Sequence, residues 1–116
     1  MPPARPAVLS SHRDLDPLLL LPVRLFVMCL LADLHWYEDA VLANALRVKP
    51  PVVALHVERL AAAGYVSIRV AGRRTKLRLT PLGLDRLTGH VTALQEVAGT
   101  AAQLVTTRRG APRSPT

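Results

Sequence analysis

Aromatic side chains are almost missing from this sequence: one Trp, one Phe and two Tyr among 116 residues. A core must therefore be aliphatic, and a chain that is 50% hydrophobic supplies it from Leu, Val and Ala. Leu and Ala are good helix formers, so a mostly helical fold is expected. Cysteine is scarcer still. Cys29 stands alone, which excludes a disulfide framework and a cysteine metal site and fits a reducing cytoplasm. With no Lys, Arg or His close beside it, Cys29 reads as a buried structural thiol rather than a redox sensor.

Long apolar runs are also lacking. The stretch from Leu15 to Leu34 contains Pro17, Pro22 and Arg24, and its charge-free runs flanking Arg24 are 7 and 8 residues. A spanning helix needs about 20. The first 16 residues mix prolines with Arg5, Arg13, Asp14 and Asp16 and hold no apolar segment of the secretory kind. A cytoplasmic protein without a membrane partner is expected. Its length suits one domain and is too short for a cleft between two.

Acidic residues are few. Eight Asp and Glu face fifteen Lys and Arg, giving a net charge of +7. Residues 1–63 are balanced, so the whole excess lies in residues 64–116, where Asp85 and Glu96 are the acids. Arg69, Arg73, Arg74, Lys76 and Arg78 fall between Val66 and Thr80 with no acid among them, and Arg108, Arg109 and Arg113 follow near the end. A small domain that basic usually meets a polyanion.

The order of elements follows from periodicity and punctuation. Residues 1–13 are Pro-rich and aperiodic, and read as a disordered arm. Residues 14–106 form the domain, and 107–116 a disordered basic tail. Leu15–Leu20 makes a short helical turn. Pro22 opens a helix reaching Leu34 that is apolar nearly all round, which suggests that a second chain covers part of it. His35, Trp36 and Tyr37 form a short β-prone link, with Trp36 and Tyr37 expected in a core or interface. Asp39 caps a helix Ala40–Leu46, Arg47-Val48 turns, and Pro50-Pro51 begin a helix that runs to Ala63 and stops at Gly64. Two short helices joined by a tight turn are a helix-turn-helix candidate.

Val66, Ile68 and Val70 then alternate with Ser67 and Arg69. After the turn Ala71–Arg74, Leu77 and Leu79 point inward and Lys76 and Arg78 outward, which makes a β-hairpin with a basic tip. Thr80 caps the last helix, with Pro81 at its first position. Along it Leu84, Leu87, Val91, Leu94, Ala98, Ala101 and Val105 recur at steps of three and four, a seam suited to a dimer. Gly89 and Gly99 each weaken that helix by about 1 kcal/mol relative to Ala, which favours support from a partner.

Catalytic signals are absent. No nucleophile–base pairing, phosphate loop or paired acid motif occurs, and His12, His35, His56 and His90 lack ligand spacing. No enzyme, metal or cofactor is expected.

The sum is a mainly α fold with a small β-hairpin: helix, helix-turn-helix, hairpin, long terminal helix. The segments PVRLFVMCLL (22–31), ALRVKPPVVALHVERLAAAGYV (45–66), GRRTKLRLT (72–80) and PLGLDRL (81–87) resemble small single-domain regulators of the MarR-like superfamily of winged helix-turn-helix transcription factors. The resemblance covers roughly residues 15–95. It implies a homodimer on double-stranded DNA, with helix 50–63 in the major groove and wing 69–78 on the backbone or minor groove. The candidate contacts are Lys49, Pro51, Val52, Ala54, Leu55, His56 and Arg59 on the helix, and Arg69, Arg73, Arg74, Lys76 and Arg78 on the wing. His56 is expected on the helix surface, able to donate to a phosphate, or at the core edge. By fold analogy, helix 22–34 and the terminal seam could enclose a small-molecule effector between protomers.

Two departures stand out against similar regulators. They carry Asp, Asn, Ser and Arg where Pro50, Val52, Ala54 and Leu55 stand here, and a glycine where Arg47 stands. A left-handed Arg47 would cost on the order of 1 kcal/mol. With no Asn, Gln or Ser on helix 50–63, the helix either reads thymine methyls through apolar contact, or its apolar face docks a protein or small ligand.

Overall fold

The computed structural model describes residues 14–110. The arm expected at 1–13, including His12, and the end of the tail at 111–116 lie outside them. The chain runs through a 3-10 turn (Pro17–Leu19), α1 (Pro22–Leu30), β1 (Tyr37–Glu38), α2 (Asp39–Leu46), α3 (Pro50–Ala62), β2 (Val66–Ala71), β3 (Arg74–Leu79) and α4 (Pro81–Gly110). The winged helix-turn-helix plan with a long C-terminal helix is thus present.

Helix boundaries follow local chemistry. α1 stops at Leu30, short of Leu34, because Asp33 offers the backbone another partner. Its Oδ1 accepts from the His35 N–H at 3.0 Å, and Leu34 takes a left-handed conformation with φ 66°. α2 begins at Asp39, one residue before the expected start. Glu38 holds the cap position without a side-chain bond, and Asp39 sits in the first turn, where a carboxylate suits the positive end of the helix.

α3 starts on Pro50 and Pro51, as their missing donors allow. It ends in a Schellman motif: Gly64 N–H donates to the Ala61 carbonyl and Tyr65 N–H to the Leu60 carbonyl, both at 2.9 Å, with Gly64 at φ +84°. α2 ends on the same pair of bonds, from Arg47 to Asn44 (3.2 Å) and from Val48 to Ala43 (3.0 Å). There the left-handed position belongs to Arg47, with φ 56° and ψ 43°.

The sheet has the order β1-β3-β2, all antiparallel. Ala71 pairs with Arg74, so Gly72 and Arg73 form the turn, and Gly72 takes φ +63°. β1 turns part of the link at 35–37 into a third strand, pairing Tyr37 with Leu77 and Glu38 with Lys76. Leu77 and Leu79 are buried, as the alternation requires, but on β2 only Val66 is. Ile68, which lines a cleft toward α3, and Val70, nearer the turn, are exposed.

The core is aliphatic, built from Leu19, Val27, Met28, Leu31, Leu42, Val53, Val57, Leu60, Leu77, Leu79 and Leu87, with Tyr65 at its edge. Thr80 locks α3 to α4. Its hydroxyl donates to the Gly64 carbonyl (2.6 Å) and accepts from Gly83 N–H (2.9 Å), while its own N–H donates to the Tyr65 carbonyl (3.0 Å). Gly83 lies so close to that backbone that a Cβ would fall 2.2 Å from the Tyr65 oxygen.

α4 spans 30 residues, about 45 Å at 1.5 Å per residue. It continues through Thr107–Gly110, past the expected end at Thr106. Cys29 is exposed on α1 rather than buried. It shares with Phe26 and Leu30 the helix face turned away from the body, and partial desolvation raises the thiol pKa. Among the described residues no helix is long and apolar enough to cross a membrane, and no group of His, Cys, Asp or Glu could hold a metal ion.

Candidate nucleic-acid interface

The basic residues of the wing do not share one environment. Arg73 occupies the turn itself and is exposed to solvent. Arg74 is 75% exposed, yet its guanidinium lies 3.3 Å from the Glu38 carboxylate. An ion pair this exposed is screened and stabilises by about 0–1 kcal/mol, so Arg74 can exchange Glu38 for a phosphate at little cost. Lys76 is half-buried. Arg69 and Arg78 sit nearer the wing root, with guanidinium carbons 4.3 Å and 4.6 Å from the centre of the Trp36 ring. Trp36 is thus half-buried beneath two cations on the outer sheet face rather than in the core. Glu38 and Trp36 were invisible to the charge count along residues 66–80, because strand pairing delivers them from well upstream in the chain.

α3 turns Val53, Val57 and Leu60 into the core and leaves Pro51, Val52, Ala54, Leu55, Glu58 and Arg59 outside. Leu55 is 57% exposed. Lys49 at the cap position and Arg59 in the last turn frame this apolar strip with positive charge. His56 stands apart from it. It is half-buried, and its Nδ1 accepts from Arg24 Nε of α1 at 3.1 Å. Burial and then the Arg24 charge push its pKa below the ordinary histidine value, leaving a neutral ring with its proton on Nε2. A narrow cleft of about 160 Å³ separates α3 from the sheet, lined by Asp39, Ala54, Val57, Glu58, Ile68, Thr75 and Leu77.

An exposed arginine turn and an exposed helix face framed by Lys49 and Arg59 are thus both open to solvent. The sequence matches the family model of the winged helix DNA-binding domain over residues 23–98. The chain belongs to that family.

Solved structures share the fold of this winged helix protein. A transcriptional regulator homologue from Pyrococcus horikoshii is 24% identical with a TM-score of 0.65, the alignment covering 79% of this chain and 90% of that one. The YusO protein from Bacillus subtilis is 19% identical, also at 0.65, over 90% and 83%. A serine variant of Lactococcus lactis ZitR in complex with DNA is 20% identical at 0.55, over 72% of this chain and 58% of ZitR. No curated protein matches the sequence.

The α4 seam divides. Leu87 is buried in the chain's own core, and Leu84 and Val91 pack against it. Leu94 is half-buried, and Ala98, Ala101 and Val105 are exposed. The expected stripe therefore serves two roles: its first half holds the domain together and its second half stands clear. Phe26, Leu30, Leu20 and Leu21 add exposed apolar surface on and before α1.

A polar cluster that sequence reasoning missed joins the N-terminal segment to the body. His90 is fully buried, and its Nδ1 accepts from the Asp16 N–H at 2.8 Å. The Asp16 carboxylate caps the 3-10 turn through Leu18 N–H (3.0 Å) and accepts from the Tyr65 hydroxyl (2.5 Å). Spacings of 74 and 49 residues leave no periodic trace of such contacts.

Proposed function

We propose that this winged helix protein is a homodimeric transcriptional regulator of the MarR-like kind, which grips duplex DNA with α3 toward the major groove and the wing on flanking backbone or minor groove. The observation that carries the reading is the solvent-exposed Arg73 turn together with the exposed face of α3 that Lys49 and Arg59 frame. Phosphate contact by Arg73 and Arg74, with Lys49 and Arg59, supplies sequence-independent affinity. Base recognition falls to Pro51, Val52, Ala54 and Leu55, whose chemistry suits thymine methyls and not hydrogen-bonding base edges. Specificity is then modest, and DNA shape at the wing contributes to it.

The second copy docks on the outer face of α1 and the distal half of α4. Phe26, 50% exposed, and Leu104 and Val105 support this; a monomer would leave them all in water. The domain at 14–106 thus carries both surfaces on one body.

Titration of a labelled duplex at several salt concentrations tests the reading. The logarithm of the affinity should fall linearly with that of the salt concentration. Arg73→Ala, which removes one contact from each protomer, should weaken binding on every sequence and lower the slope by about 2. Absent or salt-independent binding overturns it. The alternative is then a protein-interaction module, which the exposed Leu55 and the apolar cleft with Asp39 and Glu58 at its rim favour.

A further inference from the structure

We propose that Trp36 is a positioning residue for DNA, bracing Arg69 and Arg78 on the outer face of the wing so that their guanidinium edges meet backbone phosphates below the tip. The proposal rests on the DNA-binding reading and extends the contact surface from the turn to the wing root.

The geometry is specific. Pairing of Tyr37 with Leu77 sets Trp36 alongside Arg78 at the outer face, and Arg69, paired with Lys76, lies one step further toward the turn. Both guanidinium carbons lie within cation–π range of the ring. Among the described residues neither arginine has a carboxylate partner. Glu38, an acid on this face, pairs with Arg74 in the free chain. The loop carrying Trp36 is itself fixed: Asp33 accepts from His35 N–H and from the Tyr37 hydroxyl.

A planar guanidinium that stacks through its face keeps its N–H edge free for a phosphate. Stacking also removes rotamer freedom before DNA arrives, so less is lost on contact. Lysine carries the same charge but no plane to stack, which separates positioning from charge alone.

Trp36 is the sole tryptophan, so intrinsic emission of the full chain reports this contact. The experiment titrates labelled duplex into wild type, Trp36→Leu, Trp36→Phe, an Arg69→Lys/Arg78→Lys double variant, and the Leu and Lys changes combined. Duplex should change Trp36 emission in step with label anisotropy. Trp36→Leu should weaken binding about fivefold, because Arg69 and Arg78 would then lose their rotamer freedom only on meeting DNA. The double lysine variant should be weakened as much although its charge is unchanged, the combined variant should be no weaker, and Trp36→Phe should recover part of the affinity. Wild-type affinity in the double lysine variant, or additive effects in the combined one, overturns the positioning role. If Trp36→Leu has no native circular dichroism, the double lysine variant, altered only on the exposed face, decides alone. A wild type with no affinity for any duplex overturns the DNA reading itself, whereas binding that depends on Arg73 but not on Trp36 overturns this proposal only.

Discussion

Arg47 holds the left-handed backbone conformation that closes α2, at φ 56°. Its Cβ crowds the following carbonyl there, a strain that glycine avoids at the same position after α3. Arg47→Gly should therefore raise stability by up to about 1 kcal/mol, the relief of strain being partly offset by the greater freedom of the unfolded chain. Thermal unfolding followed by circular dichroism checks this, and a melting temperature at or below wild type contradicts it. Gly83 shows the opposite requirement. Here the constraint is contact rather than φ, since any side chain would strike the Tyr65 backbone. Nothing in the local sequence marks Gly83 as different from Gly89, which has open space around it; only the packing of α4 on the end of α3 separates them.

At the scale of elements, α4 is the informative case. The spacing of Leu84 through Val105 is continuous in sequence, yet the domain buries Leu87 and leaves Val105 55% exposed. Periodicity identifies a face but not what covers it. Replacing Leu104 and Val105 with Glu should then yield folded monomers by light scattering, with the domain's melting little changed. Leu87→Glu should instead unfold the domain, because it places a charge in the core. A persistent dimer in the Leu104/Val105 variant rules out distal α4 as the interface. The wing behaves similarly. Its strands and turn are legible from alternation around Ala71–Arg74, whereas the pairing of Arg74 with Glu38 and the cation–π contacts of Arg69 and Arg78 with Trp36 arise only when β1 joins the sheet.

For the molecule as a whole, two histidines tie stability to pH. Burial lowers the His90 pKa, with the Asp16 charge and the Leu19 backbone acting against it. Burial and the Arg24 charge lower that of His56. Both rings take up protons less readily folded than unfolded, where the ordinary value is 6.5. Below that pH the unfolded chain binds more protons, so this contribution is complete above about 6.5 and is lost as pH falls toward the lower folded values. The melting temperature should be level above neutrality and decline below about pH 6.5. His56→Gln, which keeps an acceptor for Arg24, should make the decline shallower; an identical decline would exclude His56 from it.

By itself the sequence determined the winged helix plan. Apolar spacing sets helix and strand, proline and glycine set most of their ends, and alternation sets which faces of α3 and β3 turn inward; all of these are local effects within a few residues. The tertiary structure alone decided which charges stay free, where Trp36 and Cys29 lie, and which half of the α4 stripe is consumed by the core. Those depend on contacts between residues far apart in the chain, such as His90 with Asp16, and local patterning carries no record of partners that only folding brings together.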